Sequence, residues 1–539
     1  MKRLIAILLS GILVCSVFST VSVSAENTGG LTVPIVCIRG QGSEIVDSDD
    51  NTVYPANIPD DYISDAVSEC MPYFLSALTK GEWDAYTEKL VSALEPIFEK
   101  QILDNNGNPQ YGTHPVDDEK YGSAEIAKKI KECKGCYSTD VSAKVKKCFS
   151  FANDWRLSPY DIIPSLKAYI EEIKRQTGFD KVNIVGRCEG ANILLAYIDE
   201  YGCDDFANVE LYIPSCFGVD MVSAIYSGKL YLDQDSLIRF KEDNLTLGDE
   251  PLYQFLEATI DMLTETYALE GISLALTPAL QKLYEKVVPA AMLASYGTYP
   301  GIWSMVNADE YETARDNIFA GKEEEYAGLI AKLDKYYENV ACHAEEIITE
   351  AKAQGVNFAI ITKYNEYQAP PIADSNNEVS DGTATLVQTS AGATVSNRYT
   401  TLSDYYIQKA EKNGTAKYIS ADKMVDASTG LLPDTTWYVY GVKHKNFPSC
   451  IHTDIMNKFF ESNGTLTVFS DETIPQYLTF ISEDEDGEKG YLTPLTSENG
   501  FTVTEINVPS KQSIFEKVIN FVNTLLNFLK NLFLDWLNK

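Results

Sequence analysis

The chain has 539 residues, 44 of them basic and 78 acidic, for a formal net charge of −34. A field of that sign repels nucleic acid and anionic membrane surfaces, and no basic run offsets it, so nucleic acid is excluded as a partner. With 45% hydrophobic residues there is material for one large enzymatic domain with insertions, or for two domains.

The first element is MKRLIAILLSGILVCSVFSTVSVSA (1–25), in which two cations precede an apolar stretch and small residues end at Ala25. That order predicts a secretory signal peptide cleaved before Glu26, and so a secreted or cell-surface protein. Of eleven cysteines, Cys15 leaves with this segment, and the ten that remain permit disulfides in an exported chain. Cys133 and Cys136 form a CxxC with no second pair and no histidine cluster, so no zinc site is expected. Asp47, Asp49 and Asn51 have the spacing that opens a calcium loop but lack its later glycine and glutamate, so no metal is expected there either.

Four short apolar runs, VPIVCI (33–38), VNIV (182–185), VELYI (209–213) and FAIIT (358–362), show little alternation, as strands buried on both faces do. Helical patterns lie between them, which predicts a mostly parallel α/β sheet. WYVYGV (437–442) should add a strand near the sheet edge. Residues 68–147 read as a mixed insertion, and 217–352 as a largely helical cap inserted between core strands. Residues 464–508 alternate short strand-like runs with acidic turns and read as a small β appendage, which bounds the main domain at 26–463. In the tail (509–539), Ile514, Val518, Val522, Leu525, Leu529, Leu532 and Trp536 form one helical stripe opposite asparagines and lysines. This amphipathic helix is too polar to span a bilayer, and suits either a lipid surface or a docking face on protein.

The stretch VNIVGRCEGANILLAYI (182–198) passes from a strand through Gly186-Arg187-Cys188-Glu189-Gly190 into a helix. Glycines on both flanks allow the sharp turn of a nucleophile elbow, which lifts the Cys188 side chain to a helix N-terminus where a thiolate is favoured. The alternative is a buried structural cysteine. An elbow requires an acid and then a histidine later in the chain. Of the four histidines, His114 lies in a polar loop, His343 in a helical pattern and His444 among lysines. His452, in a loop between the last apolar strand and a helix, is the expected general base. Asp381, opening the Asp-Gly-Thr turn of EVSDGTATL, is the expected acid, with Asp374 as the alternative. The oxyanion would be held by the amides of Glu189 and of Gln41, the latter in the glycine-rich loop CIRGQGSEIV (37–46).

The segments IRGQGSEIVD, FANDWRLSPYD, KVNIVGRCEGANILLAYI, IPSCFGVDMVSAIYSGKL, SDGTATL and FPSCIHTDIM together resemble, in order, the motifs of the lecithin:cholesterol acyltransferase and lysosomal phospholipase family of α/β-hydrolases. The resemblance covers roughly residues 31 to 462. It implies an α/β-hydrolase fold with a mobile lid and acyl transfer from a lipid ester to water or an alcohol, through Cys188, Asp381 and His452 with oxyanion donors at Gln41 and Glu189. The chain departs from the family in carrying Cys188 for the usual serine, Arg39 for a proline and Arg187 where a histidine is common. The expectation is therefore an acyl-ester hydrolase or O-acyltransferase acting on a small-molecule or lipid ester without cofactor or metal. The alternative is a catalytically silent surface protein of the same fold that binds a lipid or a protein partner.

Overall fold

The computed structural model describes residues 33–116, 148–229, 278, 281–366 and 378–501, except 57, 60, 61, 485, 486 and 488. The expected signal peptide, the Cys133/Cys136 pair, Asp374, the middle of the cap insertion and the amphipathic tail lie outside them.

The apolar runs form strands β1 (Ile35–Ile38), β2 (Cys148–Phe151), β3 (Val182–Arg187), β4 (Phe206–Tyr212), β5 (Asn357–Tyr364), β6 (Thr436–Tyr440), β7 (Tyr477–Ser482) and β8 (Gly490–Pro494). They make one eight-stranded sheet in the spatial order β2-β1-β3-β4-β5-β6-β7-β8, parallel throughout except for antiparallel β8. Two expectations are corrected here. The described part of the expected appendage, 464–501, joins the main sheet, because β7 pairs in parallel with β6, Tyr438 beside Tyr477, and β8 closes the sheet. For the same reason β6 is an interior strand, and the burial of Trp437, Tyr438 and Val439 reflects cover from both sides.

Helices cover both faces. On one, α3 (Pro159–Thr177) and α4 (Gly190–Tyr201) pack Ile163, Leu166, Ile170, Leu194 and Ile198 against Val36, Ile184, Val209 and Ile360. Ser158 caps α3 by accepting the Tyr160 amide, Pro159 occupies its first turn, and Gly178 ends it in the left-handed region. On the other face, the chain after β6 folds Phe447, Ile451, Ile455 and Phe459 over Val185, Tyr212 and Ile361.

A further apolar cluster builds a helical cap. It joins α1 (Tyr62–Lys80) and α2 (Trp83–Phe98) to α5 (Asp220–Ser227), α6 (Tyr311–Ile318) and α7 (Ala327–Tyr336) through Trp83, Phe98, Tyr226, Trp303, Phe319 and Leu329. Trp155, from the loop after β2, is buried in this cluster.

Candidate active site

The sheet order creates the site. From β1 the chain moves to β2 on one side and then crosses to β3 on the other, so the loops leaving β1 and β3 meet side by side at the strands' carboxyl ends. Open α/β sheets bind ligands at such switch points. The loop after β1 carries Arg39 to Ser43, and the turn after β3 carries Cys188.

Cys188 has a positive φ of 51°, unusual for a side-chain-bearing residue and the mark of a strained elbow. Its amide donates to the Tyr212 carbonyl at 3.0 Å, and its carbonyl accepts from Ala191 and Ser215. The flanking glycines are required by close approach. A Cβ on Gly186 would lie 2.8 Å from Ala191 Cα, and one on Gly190 would lie 2.4 Å from the Ile38 carbonyl oxygen. A free thiol, Cys188 stands half-buried at the N-terminus of α4.

The acid and base come from the carboxyl ends of β5 and β6. Asp381 Oδ2 accepts His444 Nδ1 at 2.7 Å, and the Asp381 main-chain carbonyl accepts the His444 amide, also at 2.7 Å. The other carboxylate oxygen accepts the amides of Thr383 and Ala384 at 3.0 and 2.9 Å. With Nδ1 committed to Asp381, the hydrogen bond between His444 and the Cys188 thiol falls to Nε2. Lys363 Nζ fastens the histidine loop by donating to the His444 and Asn446 carbonyls at 3.2 and 2.5 Å.

The structure therefore brings Cys188 and Asp381 together as expected, but with His444 instead of His452. His452 opens the π-helical turn His452–Met456, twelve residues beyond the end of β6, and its side chain lies outside the described residues. His444 lies four residues beyond that strand. Its flanking lysines suggested solvent, yet Lys443 and Lys445 are exposed while His444 between them is buried. That alternation is the signal by which sequence reading could have found it.

Charge is distributed to match. Burial pushes the Cys188 thiol up, but His444, the Glu189 amide and Arg187 more than reverse this, and its pKa is lowered. Burial pulls His444 down, yet Asp381 and Cys188 hold it up to about 9. Burial raises Asp381, and His444 and the Ala384 amide outweigh that, keeping it below the usual carboxylate range. These shifts favour a thiolate–imidazolium pair with a buried carboxylate behind it.

Of the expected oxyanion donors, Glu189 directly follows Cys188, and Gln41 lies in the loop that packs against the turn. The Glu189 amide already points at Sγ. A Cβ on Gly40 would lie 3.0 Å from the Cys188 Cβ and 3.4 Å from the Glu189 nitrogen, so the loop carrying Gln41 is pressed against the elbow. That loop is pinned at both ends, where Asn153 Nδ2 donates to the Arg39 carbonyl at 2.9 Å and Trp155 Nε1 donates to the Ser43 carbonyl at 3.2 Å. Trp155 is held by its neighbours: the Arg156 guanidinium is fully buried and forked onto Asp154 at 2.6 and 2.8 Å, and it also donates to the Gln101 carbonyl and Thr113. The Asp154-Trp155-Arg156 trio thus holds the loop that carries Gln41.

The Glu189 side chain lies toward Gly301, where a Cβ would sit 2.5 Å from its Oε1. Both carboxyl oxygens are buried without a hydrogen-bond partner, and burial, together with the charges of Cys188 and Asp154, holds the group well above the usual carboxylate range. Among the described residues, no group of three or more histidine, cysteine or acidic side chains could hold a metal ion. No family model matches the chain, and no curated protein matches it.

Proposed function

We propose that this chain is an acyl-transfer enzyme of the α/β-hydrolase type, similar to the lecithin:cholesterol acyltransferase and lysosomal phospholipase family, that cleaves or transfers the acyl group of an ester. The observation that carries this reading is the hydrogen-bonded series Cys188, His444, Asp381 at the switch point of a parallel sheet, in the chain order nucleophile, acid, histidine. The Glu189 amide at the sulfur, and the packing of the loop that carries Gln41 against Cys188, support it.

In the proposed reaction the Cys188 thiolate attacks the ester carbonyl carbon, a C–S bond forms, and the carbonyl oxygen becomes an oxyanion held by the Gln41 and Glu189 amides. Collapse breaks the ester C–O bond, and the departing alkoxide takes the proton from His444 Nε2. Water or an alcohol then attacks the thioester while His444 removes its proton, and rupture of the C–S bond returns the thiolate. Asp381 holds the imidazole tautomer and stabilises its charged form. Export, inferred from residues 1–25, would place this chemistry outside the cytoplasm, on small-molecule or lipid esters.

The full chain, incubated with short- and long-chain p-nitrophenyl esters and weighed intact beside Cys188→Ala, tests the reading. The expected result is an acyl adduct on Cys188 that the variant lacks, with turnover lost. Turnover unchanged in Cys188→Ala would overturn it.

A further inference from the structure

We propose that Arg187 is an anion seat: its guanidinium receives a carboxylate or phosphate group carried by the substrate, so that the site takes esters bearing negative charge near the scissile carbonyl. This rests on the acyl-transfer reading and names its substrate class.

Arg187 ends β3 beside Tyr212 of β4 and immediately precedes the nucleophile. Its guanidinium lies flat over Phe447, 3.1 Å from the ring centroid, in the loop that carries His444. Stacking fixes the plane of the guanidinium and leaves its edge, with the N–H donors, open to a forked oxyanion. Arg156, Arg175 and Arg315 each hold a carboxylate. Among the described residues Arg187 holds none, in a chain with 78 acidic side chains. An unpaired, largely desolvated cation is costly unless something compensates it.

The thiolate compensates only in part. Its principal partners are His444 and the Glu189 amide, with Arg187 behind them. Once the sulfur is acylated it is neutral, and the guanidinium then faces no anion except one that arrives with the substrate. Lys363 cannot take this role, because its ammonium is spent on main-chain carbonyls of the same loop. Arg39 adds positive potential nearby.

Alkylation of Cys188 reads the seat independently of ester turnover. The thiolate displaces iodide from iodoacetate or from iodoacetamide, forming C–S and breaking C–I, and the two reagents differ in one carboxylate. The expected iodoacetate-to-iodoacetamide rate ratio for Cys188 in the full chain is at least about tenfold that of free cysteine, as for a charge-assisted hydrogen bond. Arg187→Met should return the ratio to the free-cysteine value and Arg187→Lys should leave an intermediate one. A wild-type ratio no higher than that of free cysteine overturns the proposal.

Two ester pairs place the anion. p-Nitrophenyl hemisuccinate against p-nitrophenyl butyrate tests the acyl side, and 4-acetoxybenzoate against 4-acetoxybenzamide tests the leaving-group side. Preference for the charged member of either pair, lost in Arg187→Met, supports the seat; no preference in both pairs counts against it. Anion-selective alkylation with no ester turned over would keep the seat and sink the acyl-transfer reading. Should Cys188 resist both reagents, calorimetric titration with butyrate beside butyramide decides: butyrate-selective binding lost in Arg187→Met supports the seat, and its absence overturns it.

Discussion

His444 receives two hydrogen bonds' worth of alignment from a single residue, since Asp381 accepts both its amide and its ring Nδ1. Its loss should therefore cost general acid and base catalysis in full. His444→Ala is expected to lower kcat/KM for a p-nitrophenyl ester by about 10²–10⁴, whereas His452→Ala should leave it within a few-fold of wild type. Comparable losses in both variants would refute this assignment. The same residue sets the pH behaviour. With the thiol lowered and His444 held up to about 9, turnover should fall on the alkaline side near pH 9 as His444 loses its proton. For stability the sign follows from a folded pKa raised above the unfolded value of 6.5. The His444 contribution is fully present below about pH 6.5 and is lost as pH rises through about 9. The gap in urea midpoint between wild type and His444→Ala should accordingly narrow between these limits.

At the scale of elements, two contacts hold the site in shape. The first is the approach of α4 to β1 at Gly190, where any side chain meets the Ile38 carbonyl. Gly190→Ala should destabilise the fold by about 4 kcal/mol or more, a cost of forcing sheet and helix apart. The second is the buried Arg156–Asp154 fork under the oxyanion loop. Arg156→Met leaves Asp154 charged and unpaired and should cost about 3–5 kcal/mol, read by denaturant unfolding. The acid loop is tied to the cap in the same manner: Gln388 Nε2 donates to Asp220 Oδ1 at 2.7 Å and to Asn307 Oδ1 at 2.8 Å, and Asn307 Nδ2 donates to Asp220 at 2.6 Å. Of the eight strands, the five with continuous apolar character were readable in the sequence to within a few residues. β2 was not, because Cys148-Phe-Ser-Phe151 is four residues long and interrupted by a serine. β7 and β8 read as strands of an appendage, because pairing partners are invisible to local pattern.

For the whole molecule, the last two strands decide where the domain ends. β7 covers Trp437, Tyr438 and Val439 of β6, and Leu478 is itself fully buried. Truncation after residue 463 should expose the β6 edge and abolish cooperative unfolding, with aggregation as the visible result. A soluble, cooperatively folded 26–463 fragment would contradict the place given to these strands. Net charge operates at this scale as well. The field of a −34 chain repels anions at long range, so Arg187 beside the thiol, with Arg39 near it, must supply the local positive potential.

The residues alone determined the mostly parallel α/β class and singled out Cys188, Asp381 and the loop bearing Gln41 for the proposed site, because each depends on neighbours within a few positions: apolar runs, paired glycines, an Asp-Gly turn. Which histidine meets the sulfur depended on tertiary structure. His444 and His452 both follow β6, and the folded path of that loop, fastened by Lys363 and Asp381, turns the His444 ring onto Asp381. The same holds for Arg187, whose lack of a carboxylate among the described residues is a fact about the space around it and is written nowhere in its local sequence.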